Sequence, residues 1–469
     1  MAQKSRIIFV YATSLAAATC IFLLIRHWGS SLVALGEPQD HTSVQVAPSD
    51  TSNVWMHVVL ALVVVLVVAR VVGAIFRALN QPQVMGEVVA GILLGPSFFG
   101  WLAPGLASQV LSAGVAPYLA VISQLGVVLY MFLVGLELDT NLLRQRTSSS
   151  IAVSHASIVV PFLSGGVLAL WLYPRYAVRN VPFVVFALFV GVAMSVTAFP
   201  VLARILTDRG LQNSALGVIA LACAAVDDVT AWCLLAVLVA VARAEAGHLV
   251  STLAMTVGFI AFVLLIAKYG AVWLVRKRAE KGRTTRDVFA IVFAALMMAV
   301  LTAERIGIHG LFGAFLLGTL IPQDSALARD IRNKCEDLVL VLLLPVFFAF
   351  TGMRTKIGLL HGTRYWLACA LIIGIAALGK FGGSFLAARL TGSDWREAAS
   401  LGVLLNTRGL MELIVLNVGL DLGLLSPTLF TMFVVMAIVT TLATAPILRV
   451  LTPNVSGTAR SIGIARSPE

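Results

Sequence analysis

The sequence has few charges for its length. Of its 469 residues only 12% are charged, whereas 59% are hydrophobic. A soluble protein of this size needs a far more polar surface, so the composition indicates a polytopic membrane protein. The apolar runs do not alternate with polar residues, as the strands of a membrane barrel would. We therefore predict an all-α protein in contact with the lipid bilayer.

Patterns that would hold a metal or a disulfide are also missing. The five cysteines are scattered and form no CxxC pair, which favours small core residues over metal ligands. The seven histidines show no ligand spacing either. A net charge of +11 would suggest nucleic acid in a soluble protein, but here Lys and Arg belong to loops beside the membrane. We expect no cofactor and no nucleic-acid partner.

Fourteen apolar runs have about the length needed to cross a bilayer. They are residues 7–25, 54–76, 83–99, 115–137, 150–172, 181–206, 214–242, 249–275, 286–306, 308–322, 334–353, 364–388, 397–420 and 426–450. The third and tenth runs are short enough to be tilted or re-entrant. Lys and Arg concentrate in alternate loops, including the cluster at 276–286, which predicts that both termini are cytoplasmic.

The runs also predict the domain organisation. Residues 1–30 would form an N-terminal transmembrane helix. A signal peptide is the alternative, but the run is long and no clear cleavage pattern follows it, so we favour a retained helix. Residues 31–53 would be an extracytoplasmic polar linker, 54–451 the main membrane domain, and 452–469 a cytoplasmic tail.

Two of the predicted spans look broken. The sixth contains SVTAFPVLARIL (195–206), in which Pro200 removes a backbone donor. The thirteenth contains LNTRGLMELIVLNVG (405–419), with four residues at 406–409 that interrupt its apolar pattern. The thirteenth span comes seven after the sixth, an odd offset, so the two would cross the membrane in opposite directions. Ordinary kinks would also explain each break, but an opposed pair with polar residues at both breaks favours the binding site of a transporter.

Two adjacent carboxylates lie in the middle of the seventh span. Asp227 and Asp228 are the only charged residues between positions 214 and 242. Each costs about 2.5–3.5 kcal/mol at the centre of a membrane helix, so a functional role is the default interpretation. Adjacent helical residues point about 100° apart, so one can meet a fixed partner while the other faces a cavity. Lys380, inside the twelfth span, is the best candidate for that partner.

These parts predict competition between a proton and a small cation. Asp228 and Asp227 are the candidate binding residues for both ions, and a buried carboxylate can hold one or the other. This exclusion couples the two ions if the site opens alternately to each side of the membrane. Hydroxyls such as those of Thr197 and Ser195, with carbonyls at the breaks, would supply further hard oxygen ligands. Arg408 and Glu412, spaced i and i+4, could pair with each other, and a direct role for them or for Asn406 is a secondary hypothesis.

Several stretches together resemble one known family. They are GEVVAGILLGPS (86–97), FLVGLELD (132–139), TAFPVLARIL (197–206), DDVTAW (227–232), Lys380 and LLNTRGLMELIVLNVG (404–419). The combination is similar to the monovalent cation:proton antiporter superfamily, and most of all to its second branch. That branch contains bacterial Na+/H+ and K+/H+ antiporters and plant cation/H+ exchangers. The resemblance covers roughly residues 54 to 451.

The resemblance implies a fold of two six-helix inverted repeats with crossed discontinuous helices. The repeats would be 54–242 and 286–451, joined by a linker helix at 249–275, with one extra helix at the N-terminus. It implies exchange of Na+ or K+ for protons by a homodimer in a bacterial plasma membrane, with a role in pH homeostasis. Members with paired acids are generally electrogenic.

The resemblance also implies roles for single residues. Asp228 would bind the cation and the proton, Asp227 would pair with Lys380, and Thr197 would line the crossing of the broken helices. The sequence departs from the family at three points. Many plant relatives have Asn at the position of Asp227, the long cytosolic tails of many relatives are absent, and the first helix is not part of the thirteen-span pattern.

Other classes of membrane protein fit less well. A cation channel would need a filter of carbonyls or charges, which is not visible. A prenyl-transfer enzyme would need a third acid near the pair, and an intramembrane aspartyl protease would need acids in its own motifs on two helices. A metalloenzyme would need a histidine cluster. We therefore expect a transporter rather than an enzyme, with a channel or a non-transporting sensor as alternatives.

Overall fold

The computed structural model is helical, with no strand among the residues it describes. Those are residues 2–34, 51–111, 114–137, 148–212, 214–243, 254–255, 258–259, 261–262, 286–307, 309–323 and 325–452. Within them, 11 helical segments are long and apolar enough to cross a membrane, and one shorter apolar helix accompanies them. This confirms the predicted all-α polytopic membrane protein.

The helices are numbered in chain order. In the N-terminal half they are α1 (Ala2–Gly29), α2 (Thr51–Ala78), α3 (Gln83–Leu94), α4 (Phe99–Leu102), α5 (Pro104–Val110), α6 (Ala116–Glu137), α7 (Ser148–Tyr176), α8 (Phe183–Ser195), α9 (Phe199–Asp208) and α10 (Ala215–Arg243). In the C-terminal half they are α11 (Arg286–Ile306), α12 (Gly310–Thr319), α13 (Ala326–Leu338), α14 (Leu344–Arg354), α15 (Thr363–Leu390), α16 (Trp395–Leu405), α17 (Leu410–Asp421) and α18 (Pro427–Leu451).

The predicted spans correspond closely to these helices. The third is short, as expected, because α3 ends at Leu94, and the tenth is the ten-residue helix α12. The predicted linker helix at 249–275 and the linker at 31–53 lie mostly outside the described residues, as does nearly all of the tail at 452–469. Their structures, and the inverted repeats, stay predictions.

The eleventh predicted span changes its helix type near its middle. A π-helical turn, Val339–Leu343, connects α13 to α14, and Pro345 lies in the first turn of α14. Proline cannot donate to the carbonyl four residues earlier, which is that of Val341. Instead the guanidinium of Arg70 donates to this oxygen at 3.0 Å. An arginine inside a membrane helix therefore has a structural function here.

The long helices form two bundles. The α6 bundle consists of α2, α3, α6, α11, α12 and α14, which pack on one another. The α10 bundle consists of α7 to α10 and α15 to α18. The predicted site residues lie in the α10 bundle, and its two broken helices are the pairs α8 with α9 and α16 with α17.

The first helix belongs with the α10 bundle. It packs along α7 and α8, where the ring of Phe22 lies 5.6 Å from that of Phe162. About two turns away along α1, Ser14 Oγ lies 2.6 Å from His155 Nε2. α1 therefore adds a helix to the bundle that carries the two aspartates.

Candidate functional site

The two helix breaks lie against each other. The first covers residues 196–198, between α8 and α9, and the second covers residues 406–409, between α16 and α17. The Ala198 N–H donates to the Thr407 carbonyl at 3.0 Å across the two breaks. Backbone groups that lose their helical partners must find others inside a membrane, and this bond supplies one. The structure therefore brings the two predicted breaks together at one crossing.

Each break has a local cause. Pro200, in the first turn of α9, has no N–H to donate to the Val196 carbonyl, so α8 cannot continue through it. At the second break, Thr441 of α18 replaces helical bonds. Its Oγ1 accepts from the Arg408 N–H at 2.9 Å and lies 2.7 Å from the Arg408 carbonyl oxygen. Both breaks are thus held in place by neighbouring groups.

Asp227 is buried and surrounded by donors. Its side chain accepts from Ser154 Oγ at 3.1 Å, Ser157 Oγ at 2.7 Å and Thr197 Oγ1 at 2.7 Å. The ammonium of Lys380 lies 3.2 Å from its Oδ2. Four donors stabilise the ionised carboxylate, so this group has no oxygen left without a partner.

Lys380 is fully buried and uses all of its donor capacity. Besides Asp227, its Nζ donates to the Ser157 carbonyl at 2.8 Å and to the Ser195 carbonyl at 2.5 Å. An ammonium has three N–H donors, and each has an acceptor here. Removal of either charge would leave the other buried and unpaired, which is strongly destabilising.

Asp228 has a different environment. It is also buried, at 5% exposure, and accepts a hydrogen bond from the backbone N–H of Phe199. That N–H is at the first turn of α9, where the helix dipole favours negative charge. Its Oδ1 has no hydrogen-bond partner in the part of the chain that the structure describes. A buried carboxylate oxygen without a donor is a hard ligand open to a cation or a proton.

A second buried ion pair lies beside the crossing. Arg408 and Glu412 are each fully buried, and Arg408 Nη1 lies 2.6 Å from Glu412 Oε2. The same guanidinium donates to the carbonyls of Ala193 at 2.9 Å and Met194 at 2.8 Å. Arg408 thus pairs with Glu412, as its spacing suggested, and also stabilises the negative end of α8.

The sequence-predicted residues are placed as follows. Thr197 directs its hydroxyl at Asp227 rather than at Asp228. The hydroxyl of Ser195 donates to Val192 within its own helix, so only its carbonyl takes part in the cluster. Asn406 ends α16, and its buried Oδ1 has no partner among the described residues.

The sequence did not identify two of the hydroxyl groups that donate to Asp227. Ser154 and Ser157 lie on α7, a helix that carries none of the predicted site residues. Their i, i+3 spacing puts both on one face, in the otherwise apolar run around SHAS (154–157). The spacing could have indicated a shared polar partner, but many membrane helices have serines at such positions.

A buried acid at the crossing of two broken helices defines the class of this protein as a secondary membrane transporter. The sequence profile of the family described as "Sodium/hydrogen exchanger, transmembrane" matches residues 43–450. The chain belongs to this family, which confirms the resemblance. The family is one of transporters and not of enzymes, which agrees with the interpretation of the sequence.

Individual relatives support the same assignment. The chain is 41% identical over 400 residues to Na(+)/H(+) antiporter NhaS4 of Synechocystis sp., covering 84% of this chain and 97% of that protein. It is 33% identical over 400 residues to K(+)/H(+) antiporter 1 of Saccharomyces cerevisiae, covering 83% and 46%. It therefore spans nearly all of the first relative but less than half of the second.

The fold is similar to that of a solved antiporter. The sodium proton antiporter MjNhaP1 from Methanocaldococcus jannaschii matches with a TM-score of 0.63 and 17% sequence identity. The match covers 86% of this chain and 99% of that one. At this identity the similarity supports the helical architecture alone. All of α1 precedes residue 43 and lies outside the region matched by the family.

Proposed function

We propose that this protein exchanges a monovalent cation, Na+ or K+, for protons by alternating access. The observation that carries the proposal is the buried Asp228 Oδ1, which has no donor, beside an Asp227 whose oxygens are all engaged. A carboxylate oxygen of this kind holds a cation when ionised and a proton when neutral. The two ions exclude each other at Asp228, and this exclusion couples their movements.

The neighbouring groups would keep the site ready for exchange. Asp227 and Lys380 would hold α10 against α15 and α7, while Thr197 fixes the first break to the same carboxylate. The roles follow from the contacts, since Asp227 has no free oxygen to offer to an ion. Motion of the α10 bundle against the α6 bundle would then carry Asp228 from one side of the membrane to the other.

The wider assignments rest on the family and on the sequence. We infer that the protein forms a homodimer in a bacterial plasma membrane, with both termini in the cytoplasm. The breaks lie in the sixth and thirteenth predicted spans, which supports inverted repeats at 54–242 and 286–451. The resemblance to members with paired acids favours electrogenic exchange that contributes to pH homeostasis, and this would require a second proton-binding group besides Asp228.

Transport in proteoliposomes tests the proposal. The protein is reconstituted with an internal pH dye, a proton gradient is imposed, and Na+, Li+ or K+ is added in turn. We expect at least one of these cations to dissipate the gradient, and the order of response gives the selectivity. A gradient that no cation dissipates would overturn the proposal, and a current without coupled proton movement would indicate a channel.

A further inference from the structure

A cavity of about 320 Å³ lies between the two bundles, at the end of the membrane where α6 begins. Its mouth is polar and includes His309, Arg354 and Asp421. Arg354, at the end of α14, donates to Asp421 of α17 at 2.5 Å, so this ion pair joins the two bundles. A half-open cavity of this size with a polar mouth has room for water.

The floor of the cavity is apolar. It is lined by Phe347 of α14 and Ile414 of α17, each about two turns along its helix from the ion pair, by Val127 of α6, and by Leu311 of α12 just inside His309. No charged side chain lines this level of the cavity among the described residues. Water and ions that enter the mouth therefore reach a hydrophobic barrier before they reach the α10 helix.

Two aromatic rings lie beneath this floor. Phe315 is one turn deeper than Leu311 on α12, and its ring stacks on that of Trp232 with 6.2 Å between centroids and 22° between planes. Trp232 is one turn from Asp228 on α10, on the same face and on the side of the cavity, because successive spans alternate in direction. The order from the cavity inward is therefore Leu311, the stacked pair, and Asp228.

The two rings belong to different bundles. The backbone of Phe315 is fixed by close packing of α12 on α6, where a Cβ at Gly135 would collide with the Phe315 carbonyl oxygen. Gly318 is packed in the same way against the Phe132 carbonyl. Trp232, in contrast, is carried by the helix of the two aspartates. Any displacement of the α10 bundle along the α6 bundle must separate the two rings.

The stacked state leaves two polar groups without partners. Trp232 is 1% exposed, and neither its Nε1 nor Asp228 Oδ1 has a hydrogen-bond partner in the described part of the chain. A buried donor without an acceptor carries the full cost of desolvation. Water that entered from the cavity would satisfy both groups. The aromatic contact therefore stabilises the closed arrangement, whereas the two groups without hydrogen bonds destabilise it. A contact that opens in each transport cycle needs this balance.

We propose that Trp232 and Phe315 form the gate that separates Asp228 from this cavity. The inference rests on the proposed exchange function and adds the pair of residues that closes one side of the site. When Asp228 faces the opposite side of the membrane, the stacked rings prevent a continuous water path. Loss of either ring would open such a path, so cations and protons would leak without exchange.

Leak measurements in proteoliposomes test the gate. The variants Trp232→Leu and Phe315→Leu keep apolar volume but remove the stacked contact, and Trp232→Phe retains a ring. Phe385→Leu is the matched control, because Phe385 stacks on Phe381 within α15 and joins no two bundles. An imposed proton gradient is followed first without and then with the transported cation.

We expect both gate variants to lose the gradient severalfold faster than wild type before any cation is added. Trp232→Phe and Phe385→Leu should hold it as wild type does. Leak rates of Trp232→Leu and Phe315→Leu equal to that of Phe385→Leu would overturn the gate while leaving exchange by the wild type intact. Absence of exchange by the wild type would instead refute the proposed function. Because Trp232 and Phe315 lie on opposite sides of the contact, either variant alone still tests the gate if the other fails to fold.

Discussion

Asp227 and Asp228 are neighbours in sequence but occupy opposite chemical environments. Asp227 accepts hydrogen bonds from three hydroxyl groups and an ammonium. Asp228 accepts one from a backbone N–H, and its Oδ1 has no partner among the described residues. Both are almost fully buried, so burial does not distinguish them. The difference comes from the 100° turn between adjacent helical positions, which directs one side chain at α7 and α15 and the other at the first turn of α9.

Whether a buried charge has a structural or a functional role depends on how many donors surround it. A cation that bound to Asp227 would have to displace existing hydrogen bonds, because each oxygen of this carboxylate already has a donor. A carboxylate with an open oxygen accepts either ion at low cost. We therefore expect substitutions at the two positions to affect stability and transport in opposite ways.

Asp228→Asn should have the largest effect on transport. The amide cannot bind a proton or balance a cation, so we expect complete loss of cation-driven proton movement in proteoliposomes. The fold should survive, because Asn removes a buried negative charge and can still accept from the Phe199 N–H. Asp337→Asn, at an exposed acid on α13, is the control and should leave exchange unchanged. Residual exchange by Asp228→Asn would contradict the assigned role.

Asp227→Asn should mainly affect stability. The change leaves Lys380 buried without a counter-charge, and breaking a buried ion pair costs about 3–5 kcal/mol. We expect a lower thermal unfolding temperature in detergent, with exchange reduced but still measurable. A fall in the charge moved per cycle at unchanged stability would show instead that Asp227 takes part in each transport cycle. Wild-type stability and wild-type transport together would refute the structural role.

Arg408→Ala extends the comparison to the second buried pair. It leaves Glu412 without its partner and the Ala193 and Met194 carbonyls without a donor, so we expect destabilisation by about 3–5 kcal/mol. Arg354→Ala is the matched control at a partly exposed ion pair, where the loss should be at most about 1 kcal/mol. Thermal unfolding of both variants in detergent measures the difference. Equal losses would mean that burial does not govern these pairs.

Ser157→Ala should have the smallest effect of the four. It removes one of the hydroxyls at Asp227 but leaves Thr197, Ser154 and Lys380 in place, so we expect about 1 kcal/mol of destabilisation. Exchange should stay close to that of the wild type. Thermal unfolding and the dye assay measure the two quantities, and a transport defect as large as that of Asp228→Asn would require a direct role for the serine.

Much of this architecture could be predicted from the sequence, because the bilayer imposes simple rules. Span length gave the positions of the helices, and Pro200 with the polar run at 406–409 gave both breaks. Lys380 was identified as a partner because an unpaired ammonium is rarely tolerated in a membrane. Its contact with Asp227 could not be derived from helix depth, since tilt and side-chain length decide it.

The sequence could not predict contacts that depend on how the two broken helices cross. The bonds from Arg408 to the carbonyls of α8 depend on how two distant helices meet, and the local i, i+4 pairing concealed them. The hydroxyls of Ser154 and Ser157 act on Asp227 only because α7 packs beside α10. The stacking of Trp232 on Phe315 likewise depends on the relative position of the two bundles.

Cation-induced proton release tests the central claim most directly. Purified protein in detergent and weak buffer, near the pH at which the site is half protonated, is mixed with the transported cation while a pH indicator is followed. Wild type and Asp227→Asn should release protons as the cation binds, whereas Asp228→Asn should release none. Proton release by Asp228→Asn equal to that of the wild type would contradict the claim that cation and proton compete for Asp228.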